Sequence, residues 1–202
     1  LTPPKAIEWA IKKKVDIISM SFGLTAPQSG IQHAIKTAAA NNILMFAAAS
    51  NQGQGHEPTF PASDSSVMCI YAADGNGTRS KTNPQTIAGE SRFSTVGIAL
   101  KSAWLEQPET PDILEARKSG TSYATPIAAG IAACVLEFAL QQVMEDEKYN
   151  QLKTLGKMNR VFNLMKTKTD RPDLLDFIVP WELFHEKFRR TTILDLILKE
   201  VG

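Results

Sequence analysis

Several residue types are scarce in this sequence. Among 202 residues there are two cysteines, three histidines, three tryptophans and three tyrosines. Cys69 lies in the strand-like stretch Ser66-Val67-Met68-Cys69-Ile70-Tyr71, and Cys134 lies in a small-residue run. Both read as small buried hydrophobes without metal-ligand spacing. Neither has a histidine suited to partner it, which excludes a cysteine peptidase, and nothing demands an oxidising compartment. Charge of one sign is also missing: 22 Lys and Arg balance 21 Asp and Glu, for a net +1. That excludes a nucleic-acid or membrane partner recruited by bulk charge. No charge-free apolar run approaches about 18 residues, so no transmembrane segment is expected. No signal peptide is visible. The chain opens on Leu1-Thr2-Pro3-Pro4 and reads as a fragment, so nothing follows about secretion.

What is present reads as globular, with 43% hydrophobic and 21% charged residues. The length suits one domain, or one domain with an extension. Apolar periodicity predicts helix 4–14, strand 15–21, helix 29–42, strand 43–49 and strand 66–73. That alternation is the pattern of a parallel α/β sheet. Ile43-Leu44-Met45-Phe46-Ala47-Ala48-Ala49 is a continuous apolar run of strand length, expected to be buried on both faces. Asp74-Gly75-Asn76-Gly77 reads as a turn, and Asn76-Gly77-Thr78 is also a glycosylation sequon. Residues 98–118 look loop-rich, with Pro108 and Pro111. The composition shifts at Glu145-Asp146-Glu147-Lys148, a charged, solvated stretch. Beyond it a helix is expected over 150–166, broken by Asp170-Arg171-Pro172-Asp173, then two short helices around Trp181–Phe184 and Ile193–Leu198. Lys187, Arg189 and Arg190 read as a solvated face.

Chemistry concentrates in two segments. Gly120-Thr121-Ser122-Tyr123-Ala124-Thr125-Pro126 precedes a thin, alanine-rich helix running from Tyr123 to about Met144. Pro126 is expected in its first turn, where a missing N–H costs nothing. Ser122 then sits where free backbone N–H groups and the positive end of the helix dipole point. Ala47-Ala48-Ala49-Ser50-Asn51-Gln52-Gly53 ends the apolar strand in a loop at its carboxyl end, where α/β sheets place their sites. An Asn amide there can donate to a developing oxyanion. Each segment has a plainer alternative: a Ser/Thr helix cap for the first, an Asn-x-Gly turn for the second. A third alternative is an α/β-hydrolase elbow with Asp173 or Asp176 and His185. It is disfavoured by Ala124 where a glycine is wanted and by the poor strand Leu114–Lys118 before it.

The two segments together resemble the nucleophile and oxyanion-hole motifs of subtilisin-like serine peptidases, the subtilases. Asn51 and Ser122 are 71 positions apart (122 less 51), against about 66 in subtilisin. Ala6-Ile7-Glu8-Trp9-Ala10-Ile11 followed by Val15–Gly23 is similar to the family's helix and substrate-pairing strand, and Phe60-Pro61-Ala62 and Arg92-Phe93-Ser94 followed by Gly97 also match. The resemblance covers about residues 4–140. It implies an α/β fold, part of a parallel subtilisin-like sheet with helices on both faces. Residues 1–143 are then the C-terminal half of a peptidase domain, and 144–202 a helical extension outside the shared core. It implies Ser122 as nucleophile and Asn51 as oxyanion donor. Ser21-Phe22-Gly23 and Ala48-Ala49-Ser50 become the walls of the primary specificity pocket, with Thr59 at its floor. No metal or cofactor is implied. The partners are a polypeptide substrate and the upstream half of the domain, with no nucleic acid or membrane. The family's catalytic histidine lies about 157 residues before its serine, ahead of residue 1 here, and His33, His56 and His185 match no such motif. The reading is therefore a serine endopeptidase fragment without its Asp and His. The alternative is a non-catalytic remnant serving as an interaction module. The tail around Pro180-Trp181, before a closing amphipathic helix, resembles tails of intracellular fungal subtilases and points to an intracellular site.

Overall fold

A computed structural model describes residues 2–86, 89, 91–103, 115–142, 145–167 and 175–202. Pro108, Pro111, Leu114, the Asp170–Asp173 breaker and the expected boundary at residues 143 and 144 lie outside the described residues. Five strands form a parallel sheet in the order β1 (Ile17–Met20), β2 (Leu44–Ala48), β3 (Met68–Ala73), β4 (Phe93–Val96) and β7 (Asp176–Phe177). Ile17 pairs with Leu44, Phe46 with Met68, Tyr71 with Ser94, and Phe93 with Asp176.

The continuous apolar runs are double-sided, as expected of buried parallel strands. Along β2, Leu44 and Phe46 face one core while Met45 and Ala47 face the other. Along β3, Met68, Ile70 and Ala72 alternate in the same way with Cys69 and Tyr71. One face is covered by α1 (Pro3–Lys12) and α2 (Ser29–Ala40), through Ile7, Ile31 and Ile35. Lys14 and Asn42, both with φ near +55°, end these helices in left-handed residues. The other face is covered by α3 (Thr121–Gln141), whose Ala124, Ala128, Ala132 and Val135 lie against the strands.

The tail packs on that same face. It forms two helices, α4 (Asp146–Leu152) and α5 (Leu155–Leu164), where one helix over 150–166 was expected. The break falls at Lys153-Thr154, where the Thr154 hydroxyl turns back to the Gln151 carbonyl at 2.7 Å. The charged stretch at 145–148 is helical from Asp146. Leu152, Met158, Val161 and Phe162 are fully buried, and Phe162 stacks edge-on to Phe93 at 5.4 Å and lies 6.1 Å from Phe46. A 3-10 turn at Pro180–Glu182 and α6 (Arg190–Val201) follow. The extension also supplies β7, which joins the main sheet beside β4.

Three further expectations change. Residues 100–103 (β5) and 115–118 (β6) form an antiparallel ribbon, where loop and a poor strand were expected. Cys69 is buried but Cys134 is exposed. Helix α3 is by length and composition apolar enough to cross a membrane, contrary to expectation; it is the core helix laid across β1–β4. The turn after β3 forms as expected: Asp74 accepts the Asn76 and Thr78 amides at 2.9 and 2.8 Å. Chiefly the Thr78 amide holds its carboxyl below the usual carboxylate range.

Candidate active site

The site grows from the carboxyl ends of β1 and β2 and the amino end of α3. Helix α3 begins at Thr121, two residues earlier than expected, and Gly120 stands before it with no side-chain cap. Its first N–H group is met from outside. The Thr121 N–H donates to Asn51 Oδ1 at 2.9 Å, and the Thr121 hydroxyl donates to the same oxygen at 3.3 Å. A backbone N–H can only donate, so this pair fixes which end of the Asn51 amide faces the helix. The remaining hydrogen-bonding capacity of Asn51 is the two N–H donors of Nδ2. Gly120 makes the approach possible: its φ is +148°, and a Cβ there would sit 3.1 Å from Asn51 Nδ2.

Three hydroxyls grip the carbonyls of the first turn. Thr125 Oγ1 donates to the Thr121 carbonyl (2.8 Å), Thr95 Oγ1 to Ala124 (2.7 Å) and Ser21 Oγ to Ser122 (3.0 Å). Thr95, Thr121 and Thr125 are buried, while Ser122 is half-buried. Ser122 thus stands in a turn tied to both β1 and β4.

One open cleft of about 180 Å³ gathers the expected residues: Ser21, Phe22, Gly23, Ala48, Ser50, Asn51, Thr59 and Ser122. Ala49 does not line it; it is fully buried, and its carbonyl accepts from both the amide and the hydroxyl of Thr59 at 2.8 and 3.2 Å. Gln52 lines it and was missed, although its place next to Asn51 was the signal. Thr59 spans the two walls. Besides its bonds to Ala49, its Oγ1 would lie 2.3 Å from a Cβ at residue 23, so the close approach requires Gly23. Thr59 and Gln52 also line a neighbouring cleft of about 350 Å³ that carries His56 and Glu57. Among the described residues lining the Ser122 cleft there is no histidine and no carboxylate. His33 lies on α2 and His185 in the tail.

A serine and an Asn amide at the foot of a helix, beside a backbone-walled slot, are suited to acyl transfer. The Subtilase family model matches residues 4–172. The chain belongs to the subtilase family. The match runs past residue 140, into the tail that motif resemblance alone had set outside the shared core. This subtilase chain is 34% identical over 179 residues to the subtilisin-like protease het-Q2 of Podospora anserina, covering 81% of this chain and 48% of that protein. It is 33% identical over 129 residues to the minor extracellular protease Epr of Bacillus subtilis, covering 64% of this chain and 19% of Epr. A thermostable alkaline protease of Halalkalibacterium halodurans is 36% identical over 131 residues, covering 65% of this chain and 34% of the relative. The chain therefore spans less than half the length of each of these curated relatives. Among solved structures, the prenylagaramide maturation protease PagA superposes with a TM-score of 0.71 at 22% identity, covering 96% of this subtilase chain and 66% of PagA. That likeness establishes the fold.

Proposed function

We propose that the complete protein is a serine endopeptidase that cleaves polypeptides through an acyl-enzyme on Ser122. The observation that carries this reading is the Asn51 amide, anchored by Thr121 at the head of the helix that bears Ser122. In the proposed reaction Ser122 Oγ bonds to the scissile carbonyl carbon, and its proton passes to a histidine base supplied outside this chain. Asn51 Nδ2 donates to the oxyanion. The C–N bond then breaks as the base returns the proton to the leaving amine, and water hydrolyses the ester. The base and its orienting acid belong to an upstream half of the domain. Two surfaces suit that half: the edge strand β1, and the outward face of α3, where Ile127, Ala133, Cys134 and Leu140 are exposed.

Substrate selection is assigned to the slot between Ser21–Gly23 and Ala48–Ser50, with Thr59 across its floor. Among the described residues no acid lines the slot to pair a buried cation, so an apolar side chain of medium length, such as Leu or Met, is favoured over Lys. A second reading, a non-catalytic subtilase-like module, draws on the lack of histidine and carboxylate in the described lining.

Peptide hydrolysis by the complete protein, set beside its Ser122→Ala variant and this chain alone, separates the two. The endopeptidase reading expects turnover that disappears in Ser122→Ala and is lacking in the isolated chain. Equal turnover in wild type and variant, or none in either, would sink it.

A further inference from the structure

Pro126 is not in the first turn of α3. With the helix starting at Thr121, it is the sixth helical residue, and it has no N–H to give. An α-helical N–H bonds the carbonyl four residues back. The carbonyl left without that donor is the one on Ser122. The proline ring also crowds this carbonyl. The group that meets it is the Ser21 hydroxyl, at 3.0 Å, from a residue 101 positions away in sequence.

We propose that Ser21 is a positioning residue: its hydroxyl takes the place of the N–H that Pro126 lacks, and so locks the turn bearing Ser122 to the end of β1. Its consequence for turnover rests on the reading of Ser122 as nucleophile. Ser21 is itself exposed, but its chain neighbours are held. Met20, one residue before, is buried and registered against Ala47, and Gly23, two residues after, abuts Thr59. A hydroxyl held from both sides fixes the Ser122 carbonyl, and through it the backbone that aims Oγ. Pro126 and Ser21 act as one device: the proline frees a carbonyl inside a helix, and the freed carbonyl becomes the point where the substrate-side strand is fastened. A serine that only touched substrate would not depend on the identity of residue 126.

The test is a double-mutant cycle in the complete protein. Ser21→Ala leaves the Ser122 carbonyl without either donor. Pro126→Ala restores the intrahelical N–H. Ser21→Ala is expected to raise the unfolding equilibrium constant and lower kcat by about three- to tenfold when residue 126 is proline. Both losses should shrink below about twofold when residue 126 is alanine. Ser21→Thr, which keeps the hydroxyl, should retain the wild-type unfolding equilibrium. Equal losses with proline and with alanine at 126, or a loss confined to KM, would overturn the proposal. A wild type that unfolds with the expected coupling but shows no turnover would count against Ser122 as nucleophile while upholding the hydrogen bond. Absence of coupling in unfolding overturns the bond itself, whatever the turnover.

Discussion

The proposed function gives Asn51 two tasks, and two substitutions separate them. Its Oδ1 accepts from the Thr121 N–H and hydroxyl, while its Nδ2 is assigned to the oxyanion. Asn51→Ala removes both. Asn51→Asp keeps an oxygen for Thr121 and replaces the donor with a second acceptor. For stability, Ala loses a hydrogen bond to a helix-terminal N–H, worth about 0.5–1.5 kcal/mol. Asp retains that bond and places negative charge at the positive end of α3, which offsets any loss by about 0.3–1 kcal/mol. Urea unfolding should therefore rank Asn51→Ala below wild type and Asn51→Asp at or above it. For turnover the order differs. Both variants lack the donor and should lose about 10²–10³ in kcat with little change in KM. That magnitude is carried over from subtilisin, where removal of such a donor defines it. Asp should be the slower of the two, because its carboxylate faces the developing oxyanion. An Asn51→Asp protein destabilised as much as Asn51→Ala would refute the Thr121 anchor. One with near-normal kcat would refute the donor role.

Two other outcomes follow from the packing. Phe162, fully buried between Phe46 and Phe93, is one link between the tail and the sheet; Phe162→Ala should cost about 3–5 kcal/mol in chemical denaturation, and a cost near zero would mean that α5 does not share the core. Thr59→Gly removes the floor that the specificity slot shares with the cleft carrying His56, so a peptide-library profile should widen toward Phe and Tyr, while a wild-type profile dominated by Arg or Lys would refute the placement of the slot.

The inner strands were legible because burial on both faces writes an uninterrupted apolar run, as in Ile43–Ala49. Helices α1 and α2 were legible as segments, but of the apolar stripe Ile7, Trp9, Ala10 and Ile11 read for α1 only Ile7 is buried, and Trp9 is exposed. The ribbon β5–β6 was not. Lys101, Ser102, Glu115, Arg117 and Lys118 are exposed or half-exposed, so no buried face imposes an alternation. β7 escaped because it is two residues long and gains its meaning only from pairing with Phe93 and Ser94, far away in sequence. Helix α3 is apolar nearly all round, so nothing in its pattern distinguished the covered face from the one that exposes Cys134 and Leu140. At the candidate site, the residue types and their order were readable from the two motifs. What the motifs could not carry was which end of the Asn51 amide faces the helix, which carbonyl Pro126 frees, and that Ala49 lies behind the wall. The first two depend on a two-residue shift in where α3 begins, and helix ends are set by the groups that cap them; the third depends on the Thr59 bonds to the Ala49 carbonyl.

The most direct measurement is covalent capture of the nucleophile. The complete protein is treated with a fluorophosphonate, and the modified residue is located by peptide mass spectrometry. The account predicts one adduct on Ser122 Oγ, formed slowly in Asn51→Ala and lost in Ser122→Ala. An adduct on a different residue, or equal labelling of wild type and Ser122→Ala, would contradict it.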